Sequence, residues 1–244
     1  MAEASPQPVN VVLGAAGATG LEVVKRLLAV SPLPTRAVVR SPEKLTGVLE
    51  PSDKLQIVRG DVTDVASLRE ALRGARGVVF AAAGRGYWSP AQVDFQGVRN
   101  VAAVAKELGV QRVVLVSSML VTRKHLLHPM RLLLNNVRWG LMDNKLKGEE
   151  ALRSSGVDYT VVRPGGLAKG PGGEATIITG QGDVMPTGQI NRADLAAVVV
   201  AALDSPASSR VTLEVVCRPG APEGGYEQQL EGMWKELEAD AASA

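Results

Sequence analysis

Apolar positions along this chain switch between two periods, and the two kinds of segment take turns. Val9 to Leu13, broken only by Asn10, reads as a buried strand, and Leu21, Val24, Leu27 and Leu28 then recur at helical spacing. Further strands are predicted at Arg36–Arg40, Leu55–Arg59, Gly77–Ala82, Arg112–Ser118, Asp158–Arg163 and Val211–Val216. Helices are predicted over Val65–Leu72 with Asp64 or Thr63 as cap, over roughly Pro90–Leu108, and over Leu132–Ser154. Two more follow, Ala193–Leu203 started by Asn191 or Arg192, and Tyr226–Leu237. Strand and helix in regular succession imply a single α/β domain with a doubly wound parallel sheet. The domain is expected over residues 9–244, after a disordered leader over 1–8. The Gly-rich stretch Gly165–Gly188 is longer than an ordinary connection, which makes it a candidate lid or binding loop in a small C-terminal portion.

The join between the first strand and the first helix is Gly14-Ala15-Ala16-Gly17-Ala18-Thr19-Gly20. Strand, glycine turn and helix together are the layout of a Rossmann dinucleotide-binding unit, although glycine spacing alone fits any tight turn. Gly14 permits the turn, Gly17 lets the backbone approach a pyrophosphate, and Gly20 lets helix and strand pack closely. The backbone of Ala16, Ala18 and Thr19 then lies along the phosphates, at the positive end of the helix dipole. The second strand ends in Arg40, where an acidic residue would select NAD; no carboxylate occurs until Glu43. A guanidinium there suits the 2′-phosphate of NADP(H), with Lys44 assisting; the plainer reading is a solvated surface arginine.

Composition narrows the picture. With 244 residues and 45% hydrophobic residues the chain can bury a sizeable core. Aromatic residues make up only 3%, so that core must be Val, Leu and Ala. A net charge of +2 with scattered basic residues gives no reason to expect nucleic acid as a partner. No apolar run is long enough to span a bilayer. The single Cys217 excludes an internal disulfide, fits a reducing compartment, and reads as a small buried hydrophobe. His125 and His128 are the only histidines; Pro129 disfavours helical geometry at His128, no third ligand adjoins, and solvated loop residues are expected rather than a metal site. Leu132-Leu133-Leu134 with Val137, Trp139 and Leu141 reads as core packing, with a protein or membrane-peripheral contact as the alternative.

Several segments resemble the atypical short-chain dehydrogenase/reductases. They are Val93–Asn100, Val114–Ser118, Lys145–Leu152, Ser155–Leu167 (Tyr-Thr-Val-Val-Arg-Pro-Gly-Gly-Leu within it) and Ile190–Ala196. The resemblance runs from about Val9 to Val216 and points to NmrA-like proteins, the flavin/biliverdin-reductase type, and plastid proteins related to the NADP-binding subunit of the inner-envelope translocon.

The resemblance implies roles. Asp61 and Val62 fall where the adenine ring is held, although Asp61 reads equally as a turn residue. Ala82, Ala83 and Gly84 fall where the nicotinamide-side ribose meets the backbone, and Pro164, Gly165 and Gly166 where the carboxamide does. A catalytic serine corresponds to Ser118, with Ser117 beside it, and a catalytic, ribose-binding lysine to Lys145. The proton-donating tyrosine position holds Leu141, a direct departure. Arg163 reads as a buried ion-pair member, with Asp194 as partner. Tyr87, Trp88, Met119, Leu120, Leu141 and Leu167 are expected to line an apolar acceptor pocket. The expectation is therefore an NADPH-dependent reductase of a conjugated small molecule such as a quinone, flavin or tetrapyrrole. The alternative is a catalytically silent NADP(H)-binding redox sensor or scaffold in a protein assembly. Chloroplast stroma or cytoplasm fits either.

Overall fold

The first strand is buried along its whole length because its side chains feed two cores. In this computed structural model, which describes residues 7–84 and 86–241, Val12 of β1 (Val9–Leu13) packs against α1 (Ala18–Val30) and α6 (Arg192–Asp204). Val11 and Leu13 point the other way, toward α2 (Val65–Leu72), α3 (Val98–Glu107) and α5 (Leu141–Arg153). That two-sided burial is why the strand is nearly all apolar. Most of the expected leader, residues 1–6, lies outside the described residues.

The parallel strands β2 (Thr35–Val39), β3 (Leu55–Arg59), β4 (Ala75–Phe80), β5 (Arg112–Val116), β6 (Tyr159–Pro164) and β10 (Val211–Arg218) join β1 in the order β3-β2-β1-β4-β5-β6-β10. The order reverses between β1 and β4, and ligands of such sheets sit in the crevice beyond the strand ends at that switch. β2, β4 and β5 stop one or two residues before the expected ends, so Arg40, Ala81–Ala82 and Ser117–Ser118 lie just past their strands, at the crevice.

Four expectations are corrected. The stretch after β6 is not irregular throughout: it holds β7 (Gly166–Ala168), β8 (Thr176–Gly180) and β9 (Gln189–Asn191), and β8 and β9 run antiparallel to β10. The long helix expected from Leu132 is two helices, α4 (Pro129–Val137) and α5, because the chain turns extended at Arg138 and Gly140 then takes a left-handed φ of 62°. The helix expected from Pro90 begins as a wide π-helical segment, Ala91–Gly97, before α3. By contrast α2 has the expected bounds, and the Asp64 carboxylate caps it by accepting from the N–H groups of Ala66 and Ser67. The closing helix α7 (Tyr226–Gly232) is shorter than expected.

Candidate functional site

The glycine turn is built as its spacing implies. Gly14 has φ of +83°, and a Cβ on it would lie 2.7 Å from the Ala82 Cα across the switch point. A Cβ on Gly20 would lie 2.3 Å from the Gly14 carbonyl oxygen, so only glycine lets α1 start so close to β1. Gly17 is the N-cap, has no side chain to cap the helix, and is followed by no acidic residue in the first turn. Leu21 is the first residue whose N–H reaches back to Gly17 (2.8 Å). The N–H groups of Ala18, Thr19 and Gly20 therefore have no intrahelical partner, which is an anion-binding arrangement. This cradle fits a dinucleotide pyrophosphate.

Arg40 stands exposed one residue past β2, with no ion-pair partner among the described residues, and Lys44 is exposed on the following 3-10 turn. Arg59, its neighbour across the sheet edge through the Val39 register, is a third exposed cation here and was not anticipated. Asp61 Oδ1 closes a local turn by accepting from the N–H (2.9 Å) and hydroxyl (2.8 Å) of Thr63. Val62 is buried against Gly97, whose missing Cβ makes room for it.

Lys145 and Ser117 meet in a narrow crevice with Phe80, Asp94, Val98 and Leu115. Lys145 Nζ lies 3.1 Å from Asp94 Oδ1, in an ion pair too angled to count as a hydrogen bond. Asp94 Oδ2 accepts from the Gly84 N–H at 3.0 Å, so one buried carboxylate ties the lysine to the loop after β4. Gly148 sets this up. A Cβ there would lie 2.2 Å from the Asp94 carbonyl oxygen, so its absence lets α5 close on the π-helical segment that carries Asp94. Neither Asp94 nor Gly148 was singled out from the sequence, although both lie in the resembling segments.

Ser117 donates to Glu149 Oε1 at 2.5 Å, which commits its hydroxyl, while Ser118 stands half-buried beside it with no bonded partner among the described residues. Glu149 is fully buried and accepts also from Arg163 Nε (3.0 Å) and Nη2 (2.6 Å) and from Arg153 (2.9 Å). Arg163 is thus a buried ion-pair member, but its partner is Glu149, not Asp194. The strand pleat gives the reason: Val162 faces the α6 side, so Arg163 faces α5, whereas Asp194 lies on α6. Asp194 instead accepts from the Tyr226 hydroxyl at 2.7 Å. Glu214, also buried, lies 3.6 Å from Arg163, and burial raises its carboxyl pKa although the arginine opposes the shift. Burial acts the same way on Asp183, but N–H groups of Thr122 and Leu120 and the Arg163 charge outweigh it and hold that carboxyl low.

The acceptor side departs from expectation. Met119, Leu120 and Leu141 are buried (4%, 6% and 6% exposed) rather than open to a cleft. Asp183 clamps the loop of Met119 and Leu120 by accepting from Leu120 N–H (2.8 Å) and Thr122 N–H (2.9 Å). Tyr87, Trp88 and Leu167 are exposed, and Tyr87 and Trp88 form an aromatic cluster with Trp139. Leu132, Leu133, Val137 and Trp139 are exposed as well, so they do not pack in the core. Gly165 and Gly166 spend their N–H groups on Val215 and Gly188, and Pro164 accepts from Met119 N–H through its carbonyl. The histidines are not free loop residues: His128 caps α4 by accepting from Met130 N–H, and His125 bonds the Asp183 carbonyl at 2.7 Å. Burial and neighbouring Asp194 push the Cys217 thiol up to about 12, which makes it unreactive.

Residues 14–206 match the model of a protein family described as NAD(P)H-binding. An uncharacterized chloroplastic protein of Arabidopsis thaliana is 35% identical over 223 residues, covering 88% of this chain and 79% of that protein. Sanguinarine reductase of Eschscholzia californica is 39% identical over 119 residues, 47% of this chain and 41% of that enzyme. Among solved structures, an anaerobilin reductase from Escherichia coli O157:H7 superposes with a TM-score of 0.70 at 24% identity, covering 88% of this chain and all of that one; at this identity the likeness is one of fold.

Proposed function

Since this chain belongs to the NAD(P)H-binding family, we propose that it is an NADPH-dependent reductase that passes hydride to a flat, conjugated, apolar acceptor of quinone, flavin or tetrapyrrole type. The observation that carries the reading is the Lys145–Asp94 ion pair, held in the crevice while the proton-donating tyrosine position is a buried leucine, Leu141. When bound, the nicotinamide supplies the hydride. Everything else falls to the chain. The turn from Gly14 through Ala16, Gly17, Ala18 and Thr19 to Gly20 holds the pyrophosphate, and Arg40 with Lys44 takes the 2′-phosphate. Asp61 and Val62 flank the adenine, and Ala82, Ala83 and Gly84 admit the second ribose. Lys145, fixed by Asp94, holds that ribose, while Pro164, Gly165 and Gly166 back the nicotinamide. Ser118 donates a hydrogen bond to the acceptor. Leu141 cannot donate a proton, so the acceptor must spread the incoming charge over a conjugated system and take its proton from water. A sequence relative whose name specifies a reductase, that of sanguinarine, supports the reading.

Leu141 also favours a second reading, a catalytically silent NADP(H)-binding sensor or scaffold subunit. Calorimetry with NADPH, NADP⁺ and NADH comes first. The expected result is that NADH binds at least tenfold more weakly, about 1.4 kcal/mol, and that Arg40→Ala removes the difference. NADPH oxidation against a panel of quinones, flavins and tetrapyrroles follows, with Lys145→Ala as control. Tight nucleotide binding with no acceptor reduced would establish the silent reading. The chloroplastic Arabidopsis relative supports a chloroplast location, which an import assay with the full-length protein tests.

A further inference from the structure

α4 is turned inside out. A surface helix ordinarily lays its apolar stripe on the core and its charges in water. Here Arg131, 1% exposed, is the buried residue of the helix. Its guanidinium donates to the carbonyls of Leu120, Val121 and Thr122 and pairs with Asp143. Asn135 adds bonds to Asp143 and to the Met142 N–H. These polar contacts fix the roll of the helix, and the roll leaves Met130, Leu132, Leu133 and Val137 facing solvent. Leu127, just before it, is 87% exposed. At the far end the Trp139 backbone N–H donates to the Tyr87 carbonyl (3.0 Å), and its ring joins the exposed Trp88 in one aromatic cluster. Apolar side chains gathered this densely outside the core mark an interaction surface.

Charge decides the occupant. No carboxylate occurs between Glu107 and Asp143, and none between Glu70 and Asp94. Arg123, Lys124 and Arg138 border the apolar face without a carboxylate partner among the described residues. A second copy of the chain would set like charge against like charge. We propose that this face docks on the surface of an anionic lipid bilayer. Leucine and valine side chains enter the acyl boundary, tryptophan and tyrosine rings lie at headgroup level, and the cations reach lipid phosphates. The inference uses none of the nucleotide-binding residues, and the variants that test it leave Tyr87 and Trp88 in place.

The test is sedimentation of the full chain with vesicles of phosphatidylcholine alone or mixed with phosphatidylglycerol. The expected result is pelleting with the anionic vesicles, weakened by salt that screens the charges. Tryptophan emission should shift to the blue on binding; Trp234 is already buried at 2% exposed, so the shift reports on Trp88 and Trp139. Leu127→Glu/Val137→Glu should weaken vesicle binding at least about tenfold and leave NADPH binding unchanged. Arg123→Glu/Arg138→Glu, which spares the apolar face, should weaken it as well and decides the matter if the first variant fails to fold. The proposal is overturned if the wild type stays in solution with anionic vesicles, if it binds neutral ones equally, or if the variants pellet like the wild type. A dimer that the first variant dissociates, with no vesicle binding, would identify the face as a protein interface instead.

Discussion

Glu149 offers the sharpest energetic test of how the site is held. Its carboxylate is fully buried and serves Ser117, Arg163 and Arg153 together. Glu149→Gln keeps the size and can still accept from Ser117, but it removes the charge against which Arg163, 4% exposed, is buried. The next carboxylate is Glu214 at 3.6 Å, beyond hydrogen-bond reach and itself disfavoured as an anion by burial. Arg153 matters less because it retains Asp240 at 3.2 Å and is partly solvated. Breaking one side of a buried pair costs about 3–5 kcal/mol, because the surviving charge keeps its desolvation penalty. At about 2–4 °C per kcal/mol for a chain of this size, the melting temperature should fall by roughly 6–20 °C.

The assay is thermal and urea unfolding of wild type, Glu149→Gln and Glu149→Leu/Arg163→Met. The double variant removes both charges, so it should recover most of the loss. The reasoning fails if Glu149→Gln melts within about 2 °C of wild type, a shift worth 1 kcal/mol or less. It also fails if the double variant is worse than the single one.

Three other substitutions probe neighbouring features. Gly20→Ala sets a Cβ 2.3 Å from the Gly14 carbonyl oxygen, so NADPH affinity should fall by at least about tenfold; unchanged calorimetric binding would show that the turn holds no pyrophosphate. Gly148→Ala gains about 1 kcal/mol of helix propensity, but its Cβ meets the Asp94 carbonyl at 2.2 Å, and overpacking of that kind costs about 1–3 kcal/mol. Stability should therefore change little or fall, while NADPH binding weakens as Lys145 leaves Asp94; wild-type affinity would refute the positioning role. Glu214→Gln tests the raised carboxyl pKa. A raised folded-state pKa favours the fold fully below the unfolded value, near 4.3, and that advantage is lost as pH rises through the folded value. The variant should gain on wild type in urea unfolding between acid and neutral pH, and a pH-independent difference would count against it.

Where burial is two-sided or a cap is local, the sequence was a sufficient guide. β1 reads as a strand because both faces are covered, and α2 because Asp64 satisfies its first N–H groups within a few residues. The break between α4 and α5 was hidden by apolar spacing that continues through Leu132, Leu133, Val137 and Leu141; the extended Arg138 and the left-handed Gly140 interrupt it. β8 carries a local strand signal in its β-branched run Thr176–Thr179, whereas β9 forms because β10 pairs with it across the chain. The side on which Arg163 falls was legible from its alternation with Val162, a signal passed over in favour of Asp194. Asp94 opposite Lys145 was not legible, because the contact depends on how closely Gly148 lets two elements approach.

That close approach bears on why the lysine is kept when the tyrosine is not. A buried carboxylate and a nearly buried ammonium cost desolvation that their mutual attraction repays only in part. A chain selected for stability alone would fill the crevice with apolar side chains, as it fills the Leu141 position four residues earlier. Here the glycine, the π-helical segment and the Gly84 N–H all serve to hold one cation at one place. Such an arrangement suits a charge that must meet a ligand, and in the proposed reading the glycine cradle across the switch point would take that ligand's phosphate end. The tyrosine's work, by contrast, can pass to the acceptor: a conjugated molecule stabilises its own added charge. Under the proposed reductase reading, a leucine at the proton-donor position and a held lysine are consistent with each other, and both call for an acceptor of that chemistry.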